Sequence, residues 1–235
     1  MNTRERRPAV AIDVRNQPAY SLAEAARYLR LPPGTLRSWV VGRAYPTASG
    51  QKTFAPLIRP AQKEPLVLSF WDLVEAHVLR ALRTDHGVPV DRVRKALRYA
   101  EAKEGIDKLL LRKDLLAGAG RLFLERYGEL VELTASGQLA MQKVFEQHLK
   151  RVEWDADRFP GRLYPFVASE GLSGERSIAI DPNVAFGRPT IRRAGVSTQA
   201  IAARLDAGES VDDLAADYGL TPSEIEYAAV YERAA

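Results

Sequence analysis

The chain has 235 residues, 46% hydrophobic and 27% charged, enough for one large domain or two or three small ones, and no cysteine, which excludes a disulfide framework and cysteine-based zinc or thiol chemistry. No apolar run is long enough to span a membrane and the polar N-terminus lacks a signal-peptide core, so a cytoplasmic protein is expected. The formal charge of +4 is uneven: residues 1–100 hold 17 Lys/Arg against 8 Asp/Glu, net +9, and residues 101–235 hold 17 against 22, net −5. A basic first part suits a phosphate backbone; the acidic remainder calls for another role.

Residues 1–19, with Arg4, Arg6, Arg7 and Arg15, read as a basic flexible arm. The sequence Ser21-Leu-Ala-Glu24 is a capping box opening a helix whose apolar stripe is Leu22, Ala25, Ala26 and Leu29. Leu31-Pro32-Pro33-Gly34 stops it. A second helix near Thr35 turns Leu36, Trp39 and Val40 to the first and leaves Thr35, Arg37, Ser38 and Arg43 outside. Two short helices across a tight turn, the second polar and basic, form the helix-turn-helix pattern.

Leu57-Ile58 and Leu66-Val67-Leu68 then flank a predicted two-stranded wing, which would bring Lys52, Arg59 and Lys63 to the backbone or minor groove of double-stranded DNA. Ser69 and Asp72 cap a further helix with Phe70, Leu73, Val74, His77, Val78 and Leu82 on its apolar face. Pro89 opens another, with Val90, Val93 and Leu97 inward.

Tyr20-Ser21-Leu22-Ala23-Glu24-Ala25-Ala26, Pro33-Gly34-Thr35-Leu36-Arg37-Ser38-Trp39, the wing-like segment and Phe70-Trp71-Asp72-Leu73 resemble the MerR-like winged helix-turn-helix, spanning residues 20–104. That resemblance implies a second helix in the major groove, with Thr35, Arg37, Ser38 and Arg43 as contacts and Trp39 in the core. The long dimerisation helix and metal-binding cysteines of inducer-sensing members are missing.

Residues 105–170 read as an α+β middle with its own sheet. Leu109-Leu110-Leu111, Leu122-Phe123-Leu124, Leu130-Val131, residues 151–155 and residues 162–166 are expected strands, and residues 139–149 an amphipathic helix. The alternating Asp155 and Asp157 belong to a solvated turn. His77, His86 and His148 are too scattered for a local ligand set, Gly118-Ala119-Gly120-Arg121 is not a phosphate loop, and no serine sits in a nucleophile elbow. No catalytic residue, metal or cofactor is expected.

The last domain, residues 171–235, opens with a strand at Ile178-Ala179-Ile180. Three helices follow: residues 197–206, one started by Ser210/Asp213, and one started by Thr221-Pro222 with Glu224. Their common core is Ile201, Leu205, Val211, Leu214, Leu220, Ile225 and Ala229. Asp206, Glu209, Asp212, Asp213, Asp217, Glu224 and Glu226 would repel phosphate, so this trihelical, homeodomain-like bundle suits protein contact. The fold class is thus mainly α with a small α+β middle, between an N-terminal winged helix-turn-helix and the C-terminal bundle.

Ile180-Asp181-Pro182, Gly187-Arg188-Pro189-Thr190-Ile191-Arg192 and Tyr218-Gly219-Leu220-Thr221-Pro222-Ser223-Glu224-Ile225 resemble the family of domain of unknown function 433. Arg193-Ala194-Gly195-Val196 stands where many members have Gly-Thr-Arg-Ile/Val, so no role of the family's arginine at that place carries over to this chain. The whole order is similar to longer VapB-type antitoxins. It implies a PIN-like VapC ribonuclease toxin encoded nearby as partner and repression of the chain's own operon; separately, a two-fold pair of helix-turn-helix units matching an inverted repeat gives the expectation of a homodimer or higher even oligomer. Within that resemblance, Arg188, Pro189, Thr190, Ile191, Arg192 and Arg193 are the segment expected nearest the toxin's acidic cleft. The alternatives are a stand-alone transcriptional regulator whose tail mediates oligomerisation, and a non-enzymatic interaction adaptor.

Overall fold

The computed structural model describes residues 13–47, 50–84, 90–105, 108–113, 142–143, 146–165 and 176–233. Strand β1 (Tyr20–Ser21) leads into α1 (Leu22–Tyr28), and the expected capping box is present. Ser21 N donates to Glu24 Oε2 at 2.9 Å, and Glu24 N donates to Ser21 Oγ at 3.2 Å. After Arg30, left-handed at φ 51°, Leu31 N closes on Ala26 O. Helix α2 (Pro33–Val40) starts with proline at its first position, where no amide is needed. Ala25, Ala26, Tyr28, Leu29, Leu36, Trp39 and Val40 are at most 2% exposed and form the joint between the helices.

The hairpin differs from expectation. Strands β2 (Arg43–Thr47) and β3 (Gly50–Phe54) pair antiparallel from Arg43 opposite Phe54 to Thr47 opposite Gly50. Leu57 and Ile58 are not strand: both amides donate to Trp39 O, at 2.7 and 3.0 Å, and Ile58 is fully buried. Their apolar side chains secure the base of the hairpin to the end of α2 instead of pairing. Strand β4 (Gln62–Lys63) joins β5 (Leu66–Leu68), which also pairs with β1.

Helices α3 (Phe70–Thr84) and α4 (Val90–Glu104) follow. At the start of α3, Ser69 N and Ala61 N both donate to the buried Asp72 Oδ2, at 2.8 and 2.9 Å. Burial raises the Asp72 pKa, against these amides and Lys108. His77, 1% exposed, donates from Nε2 to His148 O at 3.0 Å, and the two imidazoles lie 5.2 Å apart.

Leu109–Leu111 is a buried 3-10 turn, not a strand: all three side chains are taken into one core, a demand that alternation cannot meet. The expected strands at 122–124 and 130–131 lie outside the described residues. Residues 142–143 and 146–149 are helical. The described strands of the middle do not form a separate sheet. Strands β6 (Val152–Trp154) and β7 (Pro160–Leu163) join β8 (Ile178–Ile180), β9 (Pro189–Ile191) and β10 (Val196–Ser197) in one antiparallel sheet, ordered β10-β9-β8-β7-β6. Leu163 opposite Ile180 makes that join. Asp155 caps its own turn by accepting from Phe159 N and pairs with Arg15 of the N-terminal segment.

Helices α5 (Thr198–Asp206), α6 (Val211–Tyr218) and α7 (Pro222–Arg233) close over a second core of Ile178, Ile191, Ile201, Leu214, Leu220, Ile225, Ala228 and Tyr231. Leu205 and Val211 pack against it half-buried. Head and tail interlock. Tyr20 Oη donates to Gly187 O at 3.0 Å, Tyr231 Oη donates to Tyr28 O at 3.2 Å, and Arg27 pairs with Glu232 at 2.6 Å. The Arg30 guanidinium lies 5.6 Å from the Tyr231 ring centre. Gly187 has φ +75°, and a Cβ there would stand 2.2 Å from Tyr20 Oη.

Gly187→Ala should therefore cost more than about 2 kcal/mol, from left-handed strain plus the clash. Tyr20→Phe alone should cost about 1 kcal/mol for the lost hydrogen bond. In the double variant the alanine should cost less, because the obstructing oxygen is gone; simple additivity in urea melts would show that this contact does not constrain the seam.

Burial first, then the neighbouring His148, Arg80 and Arg151, push the His77 pKa down to about 3. Between about pH 6.5 and 3 the unfolded chain takes up a proton that the native site refuses, so stability falls as pH falls, by up to a few kcal/mol. Urea melts from pH 7 to pH 4 should show this slope, and His77→Phe should flatten it.

Candidate nucleic-acid interface

Helix α2 begins two residues earlier than its sequence suggested, and this rotates its faces. Thr35, Leu36, Trp39 and Val40 point inward, Thr35 at 8% exposure, so Thr35 is corrected from surface contact to packing residue. The Ser38 hydroxyl donates back to Thr35 O at 2.7 Å and the residue is half-buried. Arg37 is exposed. The helix ends as Val41 N closes on Arg37 O, and Gly42 at φ 89° turns the chain outward. Arg43 is exposed too, but it opens β2 and does not belong to the helix. Arg37 and Arg43 thus flank the exit from α2, with the half-exposed Val41 between them.

The other basic candidates spread further. Lys52 occupies β3 opposite Tyr45, in the hairpin itself. Lys63 is exposed on β4, a different strand pair. Arg59 is exposed but lines a cleft of about 210 Å³ with Arg94, Arg98 and Lys108, next to Glu75 and Glu101. It therefore faces α4, not the hairpin tip. Arg92, Lys95 and Arg98 form the wet side of α4, whereas Arg80 is turned inward and donates to Leu29 O at 2.6 Å. Burial, with Arg30 and Arg151 nearby, lowers the Arg80 pKa.

At the other end of the chain, Pro189, Thr190 and Ile191 are strand β9 and are buried, which removes them as direct contacts. Arg188, Arg192 and Arg193 are exposed but separate. Arg188 lies at the seam near Glu24 of α1: burial pushes that carboxyl's pKa up, but the Ser21 amide and hydroxyl, with Arg188 and Arg27 assisting, hold it below the usual range. Arg192 and Arg176 both stack on Tyr164, 5.5 and 5.1 Å from its ring centre. Arg193 pairs with Glu224 at 2.9 Å and donates to Gly219 O at 2.7 Å. That guanidinium, with the Thr221 amide, holds the Glu224 pKa down to about 2. Arg176, Arg192, Arg193 and Glu224 border one shallow cleft, in which Arg176 is the member that sequence reading missed.

The acidic helices are partly neutralised. Arg204 pairs with both Glu209 and Asp217, and Arg233 with Asp206. Asp212, Asp213 and Glu226 remain exposed. The molecule therefore presents cations around the exit of α2 and carboxylates on α6 and α7.

Known proteins divide the chain in the same way. Residues 18–97 match the family described as "Putative DNA-binding HTH domain", and residues 178–231 match "Protein of unknown function (DUF433)". The crystal structure of Rv2018 from Mycobacterium tuberculosis superimposes with a TM-score of 0.65 at 26% identity, covering 90% of this chain and 97% of that one. The uncharacterized protein Rv2308 of the same organism is 28% identical over 220 residues, 91% of this chain and 90% of its own. "Putative antitoxin VapB45", also from that organism, is 31% identical over 226 residues, 88% of this chain and 91% of its own. On identity sustained over that span, through both the helix-turn-helix head and the C-terminal domain, the chain belongs to the family of the putative antitoxin VapB45.

Proposed function

We propose that the protein is the antitoxin of a toxin-antitoxin pair, a non-enzymatic regulator that binds a PIN-like VapC ribonuclease and represses its own operon. The observation that carries this reading is one chain joining a basic helix-turn-helix to an acidic three-helix domain, with near full-length similarity to a protein named as an antitoxin. In this reading α1, α2 and the β2–β3 hairpin form a winged, MerR-like DNA reader, and α5 to α7 form a homeodomain-like bundle for protein contact. No helix among the described residues is long and apolar enough to cross a membrane.

Arg37 and Arg43 carry operator recognition, one on α2 and one at the root of the wing. Lys52 and Lys63 supply backbone charge. The protein acts as a dimer, since a two-fold pair of reading heads matches an inverted repeat. On the toxin side, we assign the Arg192–Arg193 corner with Arg176 to the acidic cleft of the nuclease. The remaining carboxylates of α6 and α7 steer a basic rim.

Replacing Arg37 or Arg43 by alanine should weaken operator binding by about 1–3 kcal/mol if the side chain reads a base. If it contacts only phosphate, affinity should fall for all sequences and the salt slope should shrink by about one. Unchanged operator titrations at matched salt, with folding intact, would move recognition elsewhere.

Coexpression with the neighbouring gene product should yield a co-purifying complex without ribonuclease activity. Arg192→Glu should release that activity while leaving operator binding in place. Operator binding without toxin capture would favour the stand-alone regulator; loss of both by the native chain would favour the adaptor.

A further inference from the structure

A second cleft, of about 320 Å³, opens at the seam between head and tail. Its walls include Val14, Pro18, Tyr20, Tyr28, Phe70 and Pro182. At its mouth stands Phe186, 87% exposed, far beyond the other exposed large apolar side chains among the described residues, Val14, Val41 and Tyr99, at 43–47%. A phenylalanine in water forgoes the burial of about 150–250 Å² that makes aromatic side chains the strongest apolar anchors.

The backbone holds it there. Ala185, Phe186 and Gly187 have φ of 47°, 55° and 75°, three successive left-handed residues, two of them not glycine. Non-glycine residues in that region are strained, and such conformations persist only where the surroundings enforce them. Here the enforcement is the Tyr20 hydroxyl on Gly187 O, with Gly187 N closing on Val184 O at 2.9 Å. The fold therefore fixes an exposed aromatic knob on the rim of a cleft whose walls are largely apolar, with Gln17, Glu24 and Arg188 as their polar members.

A knob and a hole adjacent on one surface are self-complementary under a two-fold axis, since residue i meets j and j meets i. The charges obey the same symmetry. Glu24 and Arg188 both line the cleft, so a two-fold pairing brings one carboxylate and one guanidinium from each copy to the shared surface, a set whose charges balance. We propose that a second copy of this chain occupies this cleft, each Phe186 inserting between Val14, Tyr20 and Tyr28 of its partner, with Glu24 and Arg188 of both copies on the shared surface. This names the surface of the dimer that the operator-binding reading requires, and rests on that reading.

The test is the oligomeric state of the full-length protein, free of DNA and toxin, by sedimentation over a concentration series. The native chain and Phe186→Leu, which keeps an apolar knob, should be dimers. Phe186→Asp should be a folded monomer by circular dichroism, with its dimer dissociation constant raised roughly 30-fold or more, as for loss of an interface hot spot. Tyr99→Ser, an exposed aromatic on α4, should leave the dimer unchanged. A Phe186→Asp protein that dimerises as well as the native chain would overturn the proposal while leaving operator regulation standing. A native chain that is monomeric both alone and on its operator would overturn it together with the dimer reading. A monomeric native chain whose Phe186→Asp variant no longer captures the toxin would assign the cleft to the toxin instead.

Discussion

The architecture depends on one close approach, the Tyr20 hydroxyl against the backbone of Gly187. Tyr20 is the residue before the cap of α1, so the position of the first helix of the head is set by a loop of the tail domain. Burial raises the Tyr20 pKa, with Tyr28, Asp181 and Glu24 adding to the rise, so the phenol stays protonated and remains a donor. A residue with a Cβ at 187 could neither adopt the backbone angle without strain nor leave room for that oxygen. The same contact braces the run of left-handed residues that holds Phe186 in solvent.

Around this point the two charged halves remain spatially distinct although they are mechanically joined. Arg27 and Arg30 of the head are taken up by Glu232 and Tyr231 of the last helix. Among the described residues, the outward cations of the head include those near the exit of α2, along α4, and Arg59 and Lys63. In the tail, arginines 193 and 204 tie helices to turns and to each other. Much of the basic charge is thus structural, and net charge alone overstates the surface offered to a phosphate backbone.

What the sequence made legible was local. The capping pairs Ser21/Glu24, Ser69/Asp72 and Thr221/Glu224 act over three residues and appear as expected. So does the burial of Trp39. The misreadings have a common origin in partners that spacing cannot show. Thr35 faces inward because Pro33, not Thr35, begins the helix. Leu57 and Ile58 look like a strand but answer to the Trp39 carbonyl. Leu109 to Leu111 look like a strand and are a buried turn. The join of Leu163 to Ile180, which makes one sheet of two expected regions, has no local signature. Nor does the reason for glycine at 187, although the motif around it was plain.

The seam also orders events in time. The contact between Tyr20 and Gly187 spans 167 positions, and that between Tyr28 and Tyr231 spans 203. A ribosome makes the head first, yet the brace for α1 emerges only with the loop at Gly187, and the clamp at its end only with α7. A chain stopped before α7 would hold α1 and α2 without the α7 contacts that brace them. Translation through α7 is therefore a condition for a fully braced helix-turn-helix head.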